Sequence, residues 1–480
     1  MKKTVLLTAT VLLVMIALAA CAQPTPQVVE KIVKETVVVE KEKIVKETVQ
    51  VKETVQVKET VIVKQTQIVE KVVQKPVKLV FWHTQAATAA RGKLLDGMIA
   101  DFTKAYPWIT IESVYQGTYD DLYKKIMAAV AAGNYPDFAA SYPSMIADYM
   151  KAQVIIPLDP YIFSTDVGLT KADMEDIFPG YLAECRFAQF GNQYLAFPFT
   201  KSAAGLWYNL DLIKAAGFSA PPKTWKEFEE QCLAISAKTK AKGYAYYEDA
   251  STFDAWIFSR GLNQLNDTET EAIFNGAAGV ESLDLLARLV AKGAAWKPEG
   301  ANADQNEFGK GNVAFTMSST SGLPYYKTAI KDSGNEGKFT WGQTLIPQAD
   351  PKNPATVMYG ASVCVFRTTT EKQLAAWLFI KWFSDAEQTA KWGSQSGYMP
   401  VRKSAAAKLT DYFAKEPVAK EQFETIVPYG RPEPATRGEQ EIRIFIQEAW
   451  TGAVTGIKTP KAALDEAVKK ANEALKRGRE

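Results

Sequence analysis

Apolar residues are distributed in three different ways along the chain. Residues 5–20 form an apolar run, interrupted only by Thr8 and Thr10, behind Lys2 and Lys3. From residue 28 to 74 apolar and polar residues alternate around a six-residue unit, Val49-Gln50-Val51-Lys52-Glu53-Thr54, which recurs as Val55-Gln56-Val57-Lys58-Glu59-Thr60. On a helix, at roughly 100° per residue, six residues turn about 240°, so the valines would wander around the axis. On a strand the even period keeps Val49, Val51, Glu53, Val55, Val57 and Glu59 on one face, with Gln, Lys and Thr on the other. Val and Thr also favour extended backbone. A lone strand cannot bury its valines. Two outcomes are therefore expected: a soluble spacer whose roughly 50 residues span up to about 165 Å, or a module that associates with its own copies or with the cell wall. Pro76 closes the segment.

Beyond Pro76 the pattern changes to short apolar runs separated by stretches of helical spacing. Residues 78–82 read as a strand. Residues 89–106 read as a helix, with Leu94, Leu95, Met98, Ile99, Phe102 and Ala105 at helical intervals and Pro107 as its stop. Residues 109–115 form a second strand, and 119–132 a second helix ended by Gly133-Asn134. This alternation argues for an α/β fold with parallel strands. Farther on, residues 205–208 are strand-like and 211–216 helical up to Gly217. Thr224 with Glu227 makes a capping box behind Pro221-Pro222. Residues 282–291, 370–383 and 460–477 are further helices. Residues 77–480 are too many for one ordinary α/β core, so two lobes are expected.

Composition narrows the chemistry. The 480 residues are 47% hydrophobic and carry 56 basic against 54 acidic side chains, which gives no surplus for nucleic acid. One histidine and four cysteines cannot furnish a His-rich metal site or a Cys-rich zinc module. A Ser-His or Cys-His nucleophile would have to use His83, which stands at a strand end and reads as a hydrogen bonder. Gly-Xaa-Ser-Xaa-Gly, phosphate-loop and dinucleotide fingerprints are missing from the sequence. Pairs such as Asp120-Asp121 and Glu229-Glu230 read as solvated helix faces. No enzyme activity, metal or cofactor is expected. The 20 Tyr and 11 Trp offer flat faces with polar tips, most of them core.

At the N-terminus, Leu18-Ala19-Ala20-Cys21 resembles a bacterial lipobox. Residues 1–20 are then a removed lipoprotein signal and Cys21 is the lipidated first mature residue, held on the outer membrane face by acyl chains. Cys185, Cys232 and Cys364 allow one disulfide at most and are expected to be buried free thiols.

Several segments, taken in order, resemble the extracellular solute-binding proteins of family 1. They are Phe81-Trp82-His83, Tyr115-Gln116-Gly117-Thr118-Tyr119, Gly133-Asn134-Tyr135-Pro136-Asp137, Pro198-Phe199, Trp207-Tyr208-Asn209, Pro221-Pro222-Lys223-Thr224-Trp225, Gly360-Ala361-Ser362 and Gly397-Tyr398-Met399-Pro400. The resemblance spans residues 78–480 and implies a two-lobed, type II periplasmic-binding-protein fold with mostly parallel sheets, a hinge and an interlobe ligand cleft. Implied lobes are 78–200 plus 343–392 and 201–342 plus 393–480, after a stalk at 21–77, with crossings near 198–206 and 339–345. Implied partners are a small-molecule ligand and the permease subunits of an ABC importer. Within the family, the segment from Ile442-Arg443-Ile444 to Trp450-Thr451-Gly452, then Thr459-Pro460, is most similar to the glycerol-3-phosphate binders. That likeness implies ligand contacts at Tyr119, Ser202, Trp225, Ser319, Gly360, Tyr398 and Arg443. Arg443 would pair with a phosphate, and Trp225 would offer a face to a glycerol or sugar chain. The likeness implies glycerol-3-phosphate as ligand, but Pro143 stands where the family's acidic residue holds the glycerol hydroxyls. The anion-binding half thus looks retained and the polyol-binding half altered, which implies a related glycerophosphodiester, another phosphorylated polyol or a sugar. The alternatives are a plain carbohydrate, bound by Trp and Tyr stacking, and a surface enzyme or adhesin displayed on the stalk.

Overall fold

The computed structural model describes residues 34–46, 60–72, 75–300 and 302–479. Cys21, the signal segment and most of the repeat unit at 49–60 lie outside these residues. Two compact units are distinguished, one holding the repeat segment and one holding the body. In the first, β1 (Lys34–Lys46) and β2 (Thr60–Val72) pair antiparallel in the register Lys34↔Val72 to Lys46↔Thr60. The extended backbone expected there is present, but it is paired within the chain. An antiparallel partner supplies the ladder hydrogen bonds a lone strand lacks.

The body is built on two sheets. The first contains β3 (Val77–His83), β4 (Ile109–Tyr115), β5 (Phe138–Ser141), β8 (Phe197–Pro198) and β15 (Ser362–Val365), in the order β4-β3-β5-β15-β8. A small ladder of β6 (Arg186–Phe187) and β7 (Gln193–Tyr194) lies apart from it. The second sheet runs β11-β10-β12-β9-β14-β16, with β13 also on β9. These strands are β9 (Ser202–Asn209), β10 (Lys242–Ala245), β11 (Ala295–Trp296), β12 (Val313–Ser319), β13 (Trp341–Leu345), β14 (Thr356–Tyr359) and β16 (Gly430–Arg431).

Both sheets are mixed, which corrects the expectation of mostly parallel ones. β3–β5, β10–β12 and β10–β11 are parallel, but β9 runs antiparallel to β12, β13 and β14, and β15 antiparallel to β5 and β8. Helical crossovers make parallel neighbours. The strands that pass between sheets, β8–β9 and β14–β15, enter from the far end and so run against theirs.

The helices that matter for the site are α1 (Ala90–Ala105), α2 (Tyr119–Ala131), α3 (Pro143–Lys151), α4 (Trp225–Lys238), α5 (Ala250–Phe258), α6 (Ala277–Ala291), α7 (Leu323–Asp332), α8 (Thr370–Phe383), α9 (Ala386–Ser396), α10 (Glu439–Val454) and α11 (Pro460–Arg479). α1 buries Leu95, Met98, Ile99 and Phe102, as its spacing predicts, and α4 carries the full Thr224/Glu227 capping box. Aromatic rings join α8 to the first sheet and α1 to α8: Phe379 lies 6.0 Å from Phe81 and 5.7 Å from Phe138, and meets Phe102 edge-on at 5.2 Å. A separate core under the second sheet gathers α4, α5, α6, α10 and α11 around Trp256, Phe228, Phe315 and Trp450.

The chain crosses between the sheets at 199–201, returns at 360–361, whereas the return was expected at 339–345, and crosses once more between α9 and β16. β13 stays on β9, and β14, within the stretch 343–392 expected in the first lobe, pairs with Ser202 and Ala203. The turn falls at Gly360 because its φ of +103° suits glycine, and a Cβ there would lie 1.8 Å from the Thr200 carbonyl oxygen. The first two crossings are bonded side by side: Thr200 N donates to the Ala361 carbonyl (3.1 Å), and the buried Lys201 ammonium donates to the Gly360 carbonyl (3.1 Å) while pairing with the buried carboxylate of Glu184.

Candidate ligand cavity

A cavity of about 440 Å³ opens beside these crossings. Ser202, Ser319, Gly360, Tyr398 and Arg443 all line it, although 241 residues separate the first from the last (443 − 202). Local structure explains each. Ser202 begins β9 directly after the crossing, and Gly360 is the crossing itself. Ser319 ends β12, where its hydroxyl accepts from Ser321 N (3.1 Å) and starts a tight turn. Tyr398 follows Gly397, whose φ of +81° ends α9, and the next residue is fixed by Met399 N donating to the Lys201 carbonyl at 2.7 Å. In α10, Ile442, Ile446, Ala449 and Trp450 form the buried face. Arg443, one residue on from Ile442, is turned about 100° away from that face.

The serine hydroxyls form a chain: Ser319 Oγ donates to Ser202 Oγ (2.8 Å) and lies 2.9 Å from Ser321 Oγ. Opposite charge collects around Arg443. Its Nη1 donates to Glu433 Oε1 (2.5 Å) and its Nη2 to Asp249 Oδ1 (3.4 Å), and the side chain remains 23% exposed. Burial works against its charge, but Glu433, Asp249, Glu439 and Asp254 outweigh burial and hold the guanidinium protonated. Those carboxyls pay for the arrangement. Burial raises Asp249, raises Asp254 well above the carboxylate range, and lifts Glu439 to about 8, despite the Gln264 amide donating to Glu439 at 2.9 Å.

Tyr119 stands one layer back. It opens α2, its ring centroid is 4.3 Å from that of Tyr142, and burial raises its hydroxyl pKa. Trp225 is not brought to the cavity. Its indole is 4% exposed in the second-sheet core, between Phe228 and Trp256, with Nε1 donating to Ser259 Oγ (3.0 Å) and the Arg260 guanidinium 3.9 Å over its face. The capping box that made Trp225 conspicuous fixes a helix start, and the first apolar residue of that helix points into the core.

Pro143 takes the first position of α3, a proline's natural place, and the residue before it, Tyr142, faces the cavity. Sequence reasoning missed Tyr142, Tyr247, Asp249, Asp304 and Tyr359. A signal existed for two of them. Tyr246-Tyr247-Glu248-Asp249 follows β10 directly, and the carboxyl end of a strand in an open α/β sheet is where ligand groups gather. Asp249 also caps α5 by accepting from Thr252 N at 3.1 Å. His83 is structural: it is 2% exposed, bonded to Ser113 Oγ (2.8 Å) and to Gln85 N (3.1 Å), and burial lowers it to about 4. Cys185, Cys232 and Cys364 are free and buried.

A larger groove of about 650 Å³ runs beside α10 and α11, but its charges are already spent on one another, Lys470 with Glu448 and Glu466, and Lys458 with Glu466. Of the two, the smaller cavity combines convergent hydroxyls, the backbone of Gly360, aromatic faces and a partly exposed guanidinium. Such a set recognises a small polar molecule through many directed bonds.

Residues 97–422 match the family model of bacterial extracellular solute-binding proteins. The sn-glycerol-3-phosphate-binding periplasmic protein UgpB of Salmonella paratyphi A is 27% identical over 419 residues, 83% of this chain and 92% of that protein. Among solved structures, the cyclic alpha-maltosyl-1,6-maltose binding protein of Arthrobacter globiformis superposes with a TM-score of 0.72 at 21% identity, over 84% of this chain and all of that one. UgpB of Mycobacterium tuberculosis, in complex with glycerophosphocholine, gives 0.70 at 21%, over 84% and 99%. These likenesses establish the type II binding-protein fold. The chain belongs to the bacterial extracellular solute-binding proteins, which capture small molecules outside the cytoplasm for ABC importers and are not enzymes.

Proposed function

We propose that the cavity captures a glycerophosphodiester, one bearing a cationic or hydroxyl-rich head group, and that closure of two lobes around it presents it to a permease. The observation that carries this reading is Arg443 flanked by Asp249 and Glu433 in an aromatic-lined cavity. A single guanidinium whose charge is already balanced favours a ligand with one negative charge over a dianionic monoester. At an effective dielectric near 20, each extra unit charge about 6 Å from a carboxylate costs roughly 3 kcal/mol. In the proposed pose, Arg443, the Ser202–Ser319–Ser321 hydroxyls and the Gly360 amide meet the phosphoryl oxygens. Tyr142, Tyr247, Asp249 and Asp304 meet the head group, by cation–π contact or by accepting from hydroxyls. Relatives that bind glycerol-3-phosphate or glycerophosphocholine support the reading.

A neutral oligosaccharide is the second reading, favoured by the same completed ion pairs and by the maltosyl-sugar binder of the same fold. Calorimetry of the wild type and of Arg443→Met, with glycerophosphocholine, glycerol-3-phosphate and maltose, tests both. The expected order is glycerophosphocholine, then glycerol-3-phosphate, with at least about 30-fold weaker diester binding in the variant, the scale of a lost charged hydrogen bond. Maltose binding by both proteins with no response to glycerophosphocholine would overturn it.

The lobes we propose are the two sheets with their helices, divided at 199–201, at 360–361 and once more between α9 and β16, since β16, α10 and α11 belong with the second sheet. We further propose a lipid anchor at Cys21, with the repeat segment as the tether between membrane and body.

A further inference from the structure

We propose that Arg91 is a positioning residue for ligand capture: it fastens α1, on the first sheet, to the turn after β12, on the second, when the cleft is shut. Arg91 lies in the first turn of α1, at the positive end of the helix dipole, where a cation is disfavoured by a few tenths of a kcal/mol. Among the described residues its partners are two main-chain carbonyls and two rings, with no carboxylate to offset that cost. Nε donates to the Ser396 carbonyl and Nη2 to the Ser321 carbonyl, both at 2.8 Å. The guanidinium carbon lies 4.5 Å from the Tyr398 ring centre and 4.9 Å from that of Tyr325.

Two of these contacts lead directly to the cavity. Tyr398 is a cavity wall, so the guanidinium backs a ligand-facing ring. Ser321 is the end of the serine chain that includes Ser319 and Ser202. The two anchor points are also packed on each other. Gly397 approaches so closely that a Cβ would meet Pro324 at 2.7 Å and the Ser321 carbonyl at 3.1 Å.

The bonds divide by sheet. Ser396 ends α9, which packs on α1 and α8 beside the first sheet. Ser321 and Tyr325 follow β12 of the second sheet. Rotation about the crossings at 199–201 and 360–361 would therefore part Arg91 from Ser321 while leaving it on Ser396. Release is cheap, because the group set free is a half-buried guanidinium that water can solvate and no buried carboxylate is orphaned. Gln440 Nε2, which donates to Ser144 Oγ at 2.8 Å, spans from α10 to α3 and survives without Arg91. The latch rests on the cavity being the ligand site, but its effect on closure can be read without ligand.

The test places spin labels at Lys124→Cys and Lys226→Cys in the full chain carrying Cys21→Ser; the three described cysteines are buried. Distance distributions are recorded without ligand and with saturating glycerophosphocholine or maltose, and release rates of both are measured by stopped flow. Arg91→Met is expected to deplete the short-distance population and to speed release about 10-fold, with the association rate unchanged. Arg91→Lys is expected to behave like Arg91→Met, because one ammonium cannot bond both carbonyls and cover both rings. A merely structural role would lower the melting temperature and leave the distances alone. Distributions and release rates identical to wild type overturn the latch. If neither probe binds the wild type, the reading of the ligand fails and the ligand-free distributions alone decide the latch.

Discussion

At the scale of single residues, the lesson lies in which side chains announced themselves. Arg443 and Tyr398 were legible because each sits in a segment with a distinctive neighbourhood, Ile442-Arg443-Ile444 and Gly397-Tyr398-Met399-Pro400. Trp225 was equally conspicuous and turned inward, since its capping box reports a helix start and says nothing about which way the next ring points. Asp249 and Tyr247 were illegible as a pair with Arg443, because 194 residues separate Asp249 from it and only the tertiary fold brings them together. His83 yields a prediction at this scale. Burial lowers it to about 4 in the folded protein, against 6.5 when exposed. The unfolded chain therefore binds a proton first as pH falls, and stability conferred by the neutral ring, present above pH 6.5, is lost on the way down to pH 4. His83→Asn should flatten the fall in urea midpoint between pH 7 and pH 4, a difference of up to about 3 kcal/mol. An acid limb as steep in the variant as in wild type would contradict it.

At the scale of elements, helix positions followed their apolar spacing closely: α1, α4, α8 and α11 lie where period and caps put them. Strand direction did not follow. A short apolar run specifies a strand but not its neighbour, and β9, β14 and β15 take their direction from the path between sheets. The repeat segment teaches the same point, since its period of two gave extended backbone and left the pairing open. The crossing at Gly360 shows how strictly an element junction can be set. Gly360→Ala would drive a Cβ into the Thr200 carbonyl at a positive φ, and Gly133, also at positive φ (+68°), has open space around it. Urea unfolding should show Gly360→Ala destabilised by at least about 3 kcal/mol, against about 1 kcal/mol for Gly133→Ala. Equal, small losses would show that the crossing relaxes easily.

At the scale of the whole molecule, near-zero net charge conceals a strongly structured local field, in which the Arg443 guanidinium pairs with Asp249 and Glu433 at the wall of a cleft while burial favours the neutral form of Asp254 and Glu439 behind it. In the proposed reading, that arrangement favours single-charged or neutral polar ligands over free phosphate. The extracytoplasmic setting of the family leaves the anchor to be tested: Cys21→Ser should move the protein from the membrane pellet to the soluble fraction of cells grown with labelled palmitate, with the label lost. Label and pelleting retained by the variant would contradict a lipid at Cys21. The central claim, that the 440 Å³ cavity is the ligand site with Arg443 at its charged end, is met most directly by a crystal structure of the protein soaked with glycerophosphocholine. The account predicts phosphorus density within hydrogen-bonding reach of the Arg443 guanidinium and the Ser202 and Ser319 hydroxyls, with the trimethylammonium group against Tyr142 or Tyr247. Density confined to the groove beside α10 and α11, or a cavity holding only water at saturating ligand, would contradict it.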